Sequence, residues 1–103
     1  MDITHPVAFT ALCKQEGLPE PDFEFQFHPT RKWRFDVAWP AWMLAIEFEG
    51  LVFQGGGRHQ RMEGYTRDCE KYNQAVKGGW RVLRYTQKNR DEIIPDLKEM
   101  FGV

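Results

Sequence analysis

Two runs of alternating apolar and polar residues, separated by a connection long enough only for a tight reversal, constrain this fold most. Trp33, Phe35, Val37 and Trp39 alternate with Arg34, Asp36 and Ala38. Past Pro40, the segment Met43 to Glu49 puts Leu44, Ile46 and Phe48 on one face and Ala45, Glu47 and Glu49 on the other. Period two is the signature of a strand, and the short link between the runs predicts an antiparallel hairpin. Matching apolar faces sets the register, with Trp39 opposite Leu44, Val37 opposite Ile46 and Phe35 opposite Phe48. On the other face the same register places Asp36 opposite Glu47 and Arg34 opposite Glu49. Directly opposed side chains have Cβ atoms about 5 Å apart, so two carboxylates are forced together.

The rest of the chain supplies elements to cover this hairpin. Val7, Ala8, Ala11 and Leu12 recur at helical spacing between Pro6 and Glu16, and Gly17, Pro19 and Pro21 then break the helix. Phe23, Phe25 and Phe27 alternate with Glu24, Gln26 and His28 as a strand with one wet face. From Gln60 to Lys77 the residues Met62, Tyr65, Cys69, Tyr72 and Val76 form the apolar stripe of a helix that Gly78-Gly79 terminates. Trp80 to Tyr85 reads as a further strand, parallel or antiparallel. Asn89 and Glu92 have capping-box spacing before a last helix bearing Ile93, Leu97, Met100 and Phe101, which Pro95 would kink or restart. The order helix, three strands, helix, strand, helix predicts an α/β fold: a mixed β-sheet, with an antiparallel hairpin core and a further strand, flanked by helices.

A chain of 103 residues is one domain's worth, and 42% hydrophobic residues suffice for a core. The longest apolar run, Val37 to Ile46, contains Pro40 and ends at Glu47, too short to cross a bilayer. With no basic, apolar leader at its start, the chain is expected to be intracellular and cytoplasmic. Cys13 and Cys69 lack zinc-ligand spacing and are expected to be free, buried thiols. Net charge is -1, yet its distribution is uneven: residues 28–34 hold Arg31, Lys32 and Arg34 with no acid, and residues 58–90 hold nine basic groups against three acidic ones. A basic face suited to a polyanion follows.

Against that basic background, Asp36 and Glu47 repel unless something neutralises them. Mg²⁺ or Mn²⁺ does so with hard oxygen ligands, and often uses one or two carboxylates plus a substrate phosphate. An ion so held can activate water against a phosphodiester. The competing reading is a solvated sheet face, with Arg34 pairing Glu49 and Glu47 wet.

The runs Arg34-Phe35-Asp36-Val37-Ala38-Trp39-Pro40, Ala45-Ile46-Glu47-Phe48-Glu49-Gly50, Asp68-Cys69-Glu70-Lys71-Tyr72-Asn73 and Gly79-Trp80-Arg81-Val82-Leu83-Arg84 together resemble the PD-(D/E)XK nuclease superfamily. The similarity is nearest to small stand-alone phage and bacterial nucleases related to the VRR-NUC and Holliday junction resolvase groups, with an echo of very-short-patch-repair endonucleases. It spans about residues 20 to 86 and implies a restriction-endonuclease-like sheet. It implies that Asp36 and Glu47 are metal ligands, with the backbone carbonyl of Phe48 a third. Glu49 stands where the superfamily usually has lysine, as in some restriction enzymes, and would hold or activate water. The lysine's role would move to Lys71, which shares a polar helix edge with Arg67 and Asp68; a solvated Lys71 paired with Asp68 is the plainer alternative. The family's habit of adding an N-terminal acid points to Glu24, with Glu20 and Glu16 as competitors.

Other positions follow the same logic. Arg31, Lys32, Arg34, Arg58, Arg61 and Arg67 are candidate phosphate contacts, and His59 a candidate phosphate contact or general acid. Gly55-Gly56-Gly57 lacks the Gly-Lys-Ser/Thr of a P-loop and reads as a loop that closes over DNA. Trp33, Trp39 and Trp80 are core candidates, while Trp42, at the hairpin tip, suits a dimer contact or a wedge. The expected protein is an Mg²⁺- or Mn²⁺-dependent DNA endonuclease acting as a homodimer on branched or duplex DNA. The rival is a DNA-binding module that keeps the fold without turnover.

Overall fold

One four-stranded sheet, in the order β1-β2-β3-β4, organises the molecule. The computed structural model describes residues 5–49 and 62–103. In chain order the elements are α1 (Pro6–Gln15), β1 (Asp22–Gln26), β2 (Arg34–Trp39), β3 (Leu44–Phe48), α2 (Met62–Lys77), β4 (Arg81–Tyr85) and α3 (Ile93–Phe101); short 3-10 turns at Pro40–Trp42 and Arg90–Glu92 precede β3 and α3. β1, β2 and β3 run antiparallel in succession and β4 lies parallel to β3, which makes the sheet mixed. A parallel neighbour needs a crossover, and α2 provides it.

The hairpin has the expected register, with Trp39↔Leu44, Ala38↔Ala45 and Val37↔Ile46 paired. Its turn closes through Met43, whose backbone takes the left-handed conformation at φ 52 and whose N–H donates to the Pro40 carbonyl at 3.1 Å. α2 ends in a Schellman arrangement: the Trp80 N–H reaches the Ala75 carbonyl at 2.9 Å and Gly79 adopts φ 90, open to glycine without steric penalty.

Helices cover both faces of the sheet. On one, Phe9 and Cys13 of α1 and Ile93 and Leu97 of α3 pack on Val37, Trp39, Leu44 and Ile46, with Tyr85 completing the cluster. On the other, Ala75 of α2 packs on Phe35, Ala38, Ala45 and Trp80, extended by Phe25, Phe27, Met43 and Val82.

Several expectations are corrected by this packing. Phe35 does not share a face with Val37 and Trp39, nor does it lie with Phe48; it belongs to the α2 side, and Phe48 to the other. Phe23 and Phe25 are split between the clusters in the same way, although along β1 the polar Asp22, Glu24 and Gln26 are exposed and the two phenylalanines half-buried, as expected. The cause lies between them. Glu24 sits at φ 50, and the pairs Phe23↔Val37 and Phe25↔Phe35 flank it, so both strands exchange faces at the Glu24 and Asp36 positions. Trp33 precedes β2 and faces Phe27, their near-parallel rings 6.3 Å apart.

The helices dock by different residues than the spacing suggests. α1 buries Phe9 and Cys13, and Val7 is exposed. Met62, Tyr65, Cys69 and Val76 of the α2 stripe are exposed, Val76 by 70%, and the helix approaches the sheet through Lys71, Tyr72 and Ala75. Cys69 is therefore a free but exposed thiol, and only Cys13 is buried. Asn89 does not close a capping box: its Oδ1 accepts from the Thr86 N–H at 2.7 Å. Pro95 falls in the first turn of α3, where a missing N–H leaves no bond unmade. No helix among the described residues is long and apolar enough to cross a membrane.

Candidate active site

Beyond Val37↔Ile46 the β2–β3 pairing passes from backbone to side chains. The Asp36 N–H donates to Oε2 of Glu47 at 2.7 Å, and the Phe48 N–H donates to Oδ2 of Asp36 at 2.7 Å. Each strand thus receives a carboxylate from the other. Bonds from N–H to a charged oxygen are about twice as strong as neutral ones, which lets two like charges occupy one gap. The face exchange at Asp36 turns its side chain from the pleat toward β3, where this bond forms.

Glu47 is the one buried charged residue among those described, 5% exposed. Alternation along β3 points it under α2, with Ala45. There its Oε1 accepts from the Lys71 ammonium, with which it forms an ion pair, and from the Tyr72 hydroxyl at 3.1 Å. Burial pushes the Glu47 carboxyl above the ordinary carboxylate range; the Lys71 bond pulls it back and the nearby Asp36 charge adds to the rise. The Lys71 ammonium also lies 5.7 Å from the Phe35 ring centroid and 5.5 Å from that of Tyr72. Tyr72 is held firmly protonated, chiefly by burial and then by the charges of Glu47 and Glu49, so its hydroxyl acts as a donor.

Glu49 stands just past β3. Its N–H reaches the Tyr85 carbonyl at 2.9 Å and its carboxylate pairs with the Arg84 guanidinium, which lies over the Tyr72 ring at 4.2 Å. The ion partner of Glu49 is therefore on β4 rather than Arg34 on β2, because β4 runs parallel alongside and presents Arg84 beside Glu47 in register. Glu49, Tyr72 and Arg84 line a cleft of about 330 Å³ with Tyr65, Asp68, Cys69 and Asn73.

The structure thus brings Asp36, Glu47, Phe48 and Lys71 together, with Glu49 alongside. Lys71 points inward to Glu47 rather than lying solvated on the helix edge. Glu24 occupies the β1 position facing Asp36, with an exposed side chain. Arg31 lies over the Trp33 ring at 4.1 Å and within 3.9 Å of Glu70; Lys32, Arg34 and Arg67 are exposed. Arg58, His59, Arg61 and the Gly55-Gly56-Gly57 loop lie outside the described residues. Tyr72 and Arg84 escape the sequence reading as site residues: Tyr72 scores as apolar on the helix stripe, and only its hydroxyl beside Lys71 signals otherwise.

Asp36 and Glu47 offer hard oxygen donors, and Lys71 offsets one of their two charges. Among the described residues no group of three or more His, Cys, Asp or Glu side chains has metal-holding geometry. Both Glu47 oxygens and Oδ2 of Asp36 already accept bonds from protein donors, so an ion here would share those oxygens with N–H and O–H groups.

No family model and no solved structure matches the chain. Similarity does exist to two proteins of Mycobacterium tuberculosis, Uncharacterized protein MT2308 (strain CDC 1551 / Oshkosh) and Uncharacterized protein Rv2248 (strain ATCC 25618 / H37Rv). Each is 29% identical over 69 residues, which cover 65% of this chain and 24% of the relative. The chain thus spans about a quarter of the length of the curated relatives it matches.

Proposed function

We propose that this protein is a metal-dependent DNA endonuclease on a restriction-endonuclease-like fold of the PD-(D/E)XK kind. The observation that carries the reading is the crossed bonding of Asp36 and Glu47 between neighbouring strands, beneath a lysine delivered by the crossover helix. Asp36, Glu47 and the Phe48 carbonyl are the residues to hold Mg²⁺ or Mn²⁺, with Glu24 the acid to complete the shell. When bound, such an ion polarises the phosphodiester and lowers the pKa of a bound water.

The protein's own groups do the rest. The Lys71 ammonium sets positive charge where the phosphorane oxygens gather negative charge. Tyr72 and the Asp36 N–H hold the Glu47 carboxylate in one orientation, and its burial keeps bulk water away. Glu49, steadied by Arg84, holds the attacking water. Arg31, Lys32, Arg34 and Arg67, with Arg58, His59 and Arg61, contact phosphates and set a salt-dependent affinity. Cutting two strands coordinately takes two copies, so a homodimer acting on branched or junction DNA in the cytoplasm is the form proposed.

One observation favours a second reading. The Glu49 carboxylate is bound to Arg84, and by the resemblance Glu49 takes the usual lysine position, which suits a DNA-binding module without turnover. Supercoiled plasmid with Mn²⁺, then EDTA, separates the two. The nuclease reading expects metal-dependent nicking that falls by roughly two orders of magnitude or more in Asp36→Ala. Binding without nicking supports the module, and nicking untouched by Asp36→Ala removes that residue from the mechanism.

A further inference from the structure

A second, larger cleft lies on the α2 side of the sheet, away from Glu49 and Arg84. It has a volume of about 530 Å³, and its lining includes Phe25 of β1, Phe27 and His28 just past that strand, Trp80 just before β4, and Gln74 and Lys77 of α2. Two features separate it from the cleft beside Glu49. It gathers three aromatic side chains, Phe25, Phe27 and Trp80, and its lining holds Lys77 and His28 but no carboxylate, whereas the smaller cleft carries Glu49 and Asp68. Lys77 beside aromatic rings, with no acid in the lining, suits an anion carrying flat apolar groups.

The aromatic wall is continuous with the candidate active site through Phe35. Phe27 stacks on Phe35 at 4.2 Å and 10°, Trp80 tilts against both Phe25 and Phe35, and the Lys71 ammonium lies over Phe35. On α2, Gln74 follows Lys71 by three residues, less than one helical turn or ~5 Å of axis along the backbone. His28 is locked as part of this wall: its Nδ1 accepts from the N–H groups of Thr30 at 3.2 Å and Arg31 at 3.0 Å. Those bonds leave Nε2 as the protonated nitrogen of the neutral ring. Pro29, next to His28, also lines the cleft.

We infer that this cleft takes an unpaired base of single-stranded DNA, stacked on the aromatic wall with its phosphate toward Lys77. Rings that stack on any base face beside basic side chains are the general means of gripping single strands. A paired base has both faces covered by its neighbours and is not available to the cleft. The inference rests on the nuclease reading for its consequence: the preferred substrate is DNA with a single-stranded arm next to the cut, rather than uninterrupted duplex.

The test uses the full chain and fluorescein-labelled oligonucleotides: a poly-dT 15-mer, a blunt duplex, and a duplex with a 5′ or 3′ single-stranded arm. Anisotropy without metal reads binding, and Mn²⁺ reads cleavage on the same molecules. Expected are binding of the 15-mer with quenching of tryptophan fluorescence, tighter binding of armed than blunt duplex, and roughly tenfold loss of 15-mer affinity in Lys77→Glu and in Phe27→Ala. Lys77 is exposed, so Lys77→Glu leaves packing intact and guards against a misfolded Phe27→Ala protein. Equal affinity of wild type and Lys77→Glu for the 15-mer, or equal affinity for blunt and armed duplex, overturns the cleft. Retained 15-mer binding without cleavage of any substrate overturns the nuclease reading and leaves the cleft standing.

Discussion

The two faces of the sheet are built from the same strands and are put to different use. On the α1 and α3 side, Phe9, Val37, Trp39, Leu44, Ile46, Ile93 and Leu97 are all fully or almost fully buried, and the polar contacts lie at the margin: the Trp39 indole to the Pro19 carbonyl at 2.8 Å and Lys98 to Glu16 at 2.7 Å. On the α2 side the cover is narrower. Ala75 is the single buried residue of a 16-residue helix, and what the helix brings to the sheet is the Lys71 ammonium for a buried carboxylate. Dry packing holds one face closed, whereas the other stays partly open around a charge. A fold that concentrates stability on one side is free to keep reactive, poorly solvated groups on the opposite side.

The largest effect that sharpens this contrast is on the dry face. Phe9 makes edge contacts with Phe23 and Trp39 at 6.3 Å each and is fully buried. Phe9→Ala is expected to lower unfolding free energy by roughly 3–5 kcal/mol in urea titration. Val76→Ser on the open side of α2 should change it by less than about 0.5 kcal/mol. Equal losses at the two positions would break the comparison.

Next in size is the ion pair. Lys71→Met strands Glu47 in the interior and should cost about 3 kcal/mol near neutral pH, while Lys71→Met combined with Glu47→Leu should restore most of the loss or exceed wild type. Acid should also rescue the single variant, because a protonated Glu47 needs no counter-charge. If the double variant is no more stable than the single one, α2 is held to the sheet by something other than this pair.

The smallest effect is read in the thiols. Burial pushes the Cys13 thiol from 9.0 up to about 11, so it stays protonated in the folded protein while its unfolded counterpart ionises. The folded state then binds the extra proton, and stability drawn from Cys13 is lost as pH rises from about 9 to about 11. A disulfide reagent at pH 8 should titrate Cys69 at once and Cys13 only on unfolding. Simultaneous reaction of both would show that the dry face opens as readily as the other.

What the sequence makes legible divides along the same line. The hairpin and its register from Val37 to Trp39 follow from alternation, and they bring Asp36 and Glu47 to neighbouring strands, though the pairing of Phe35 with Phe48 does not hold. The face exchange does not follow, because its pivot is a glutamate at positive φ, a conformation usually announced by glycine or asparagine. Periodicity also misjudges α2. Hydrophobic spacing selects Met62, Tyr65, Cys69 and Val76, yet the helix docks through Lys71 and Tyr72 because their partner is a carboxylate, and no apolar pattern encodes attraction to a buried charge. Lys71 enters the reading only through resemblance, and its contact with Glu47 is a matter of tertiary placement.

The separation of the site's parts along the polypeptide has a kinetic consequence. Asp36 and Glu47 are 11 residues apart and meet as soon as the hairpin zips, but Lys71 lies 24 residues beyond Glu47 and arrives only when a longer loop closes. During refolding, the hairpin must tolerate mutual repulsion until the crossover helix lands. Stopped-flow refolding should therefore accelerate at mildly acidic pH or raised salt, and Asp36→Asn should abolish that dependence by sparing the nascent hairpin its charge conflict.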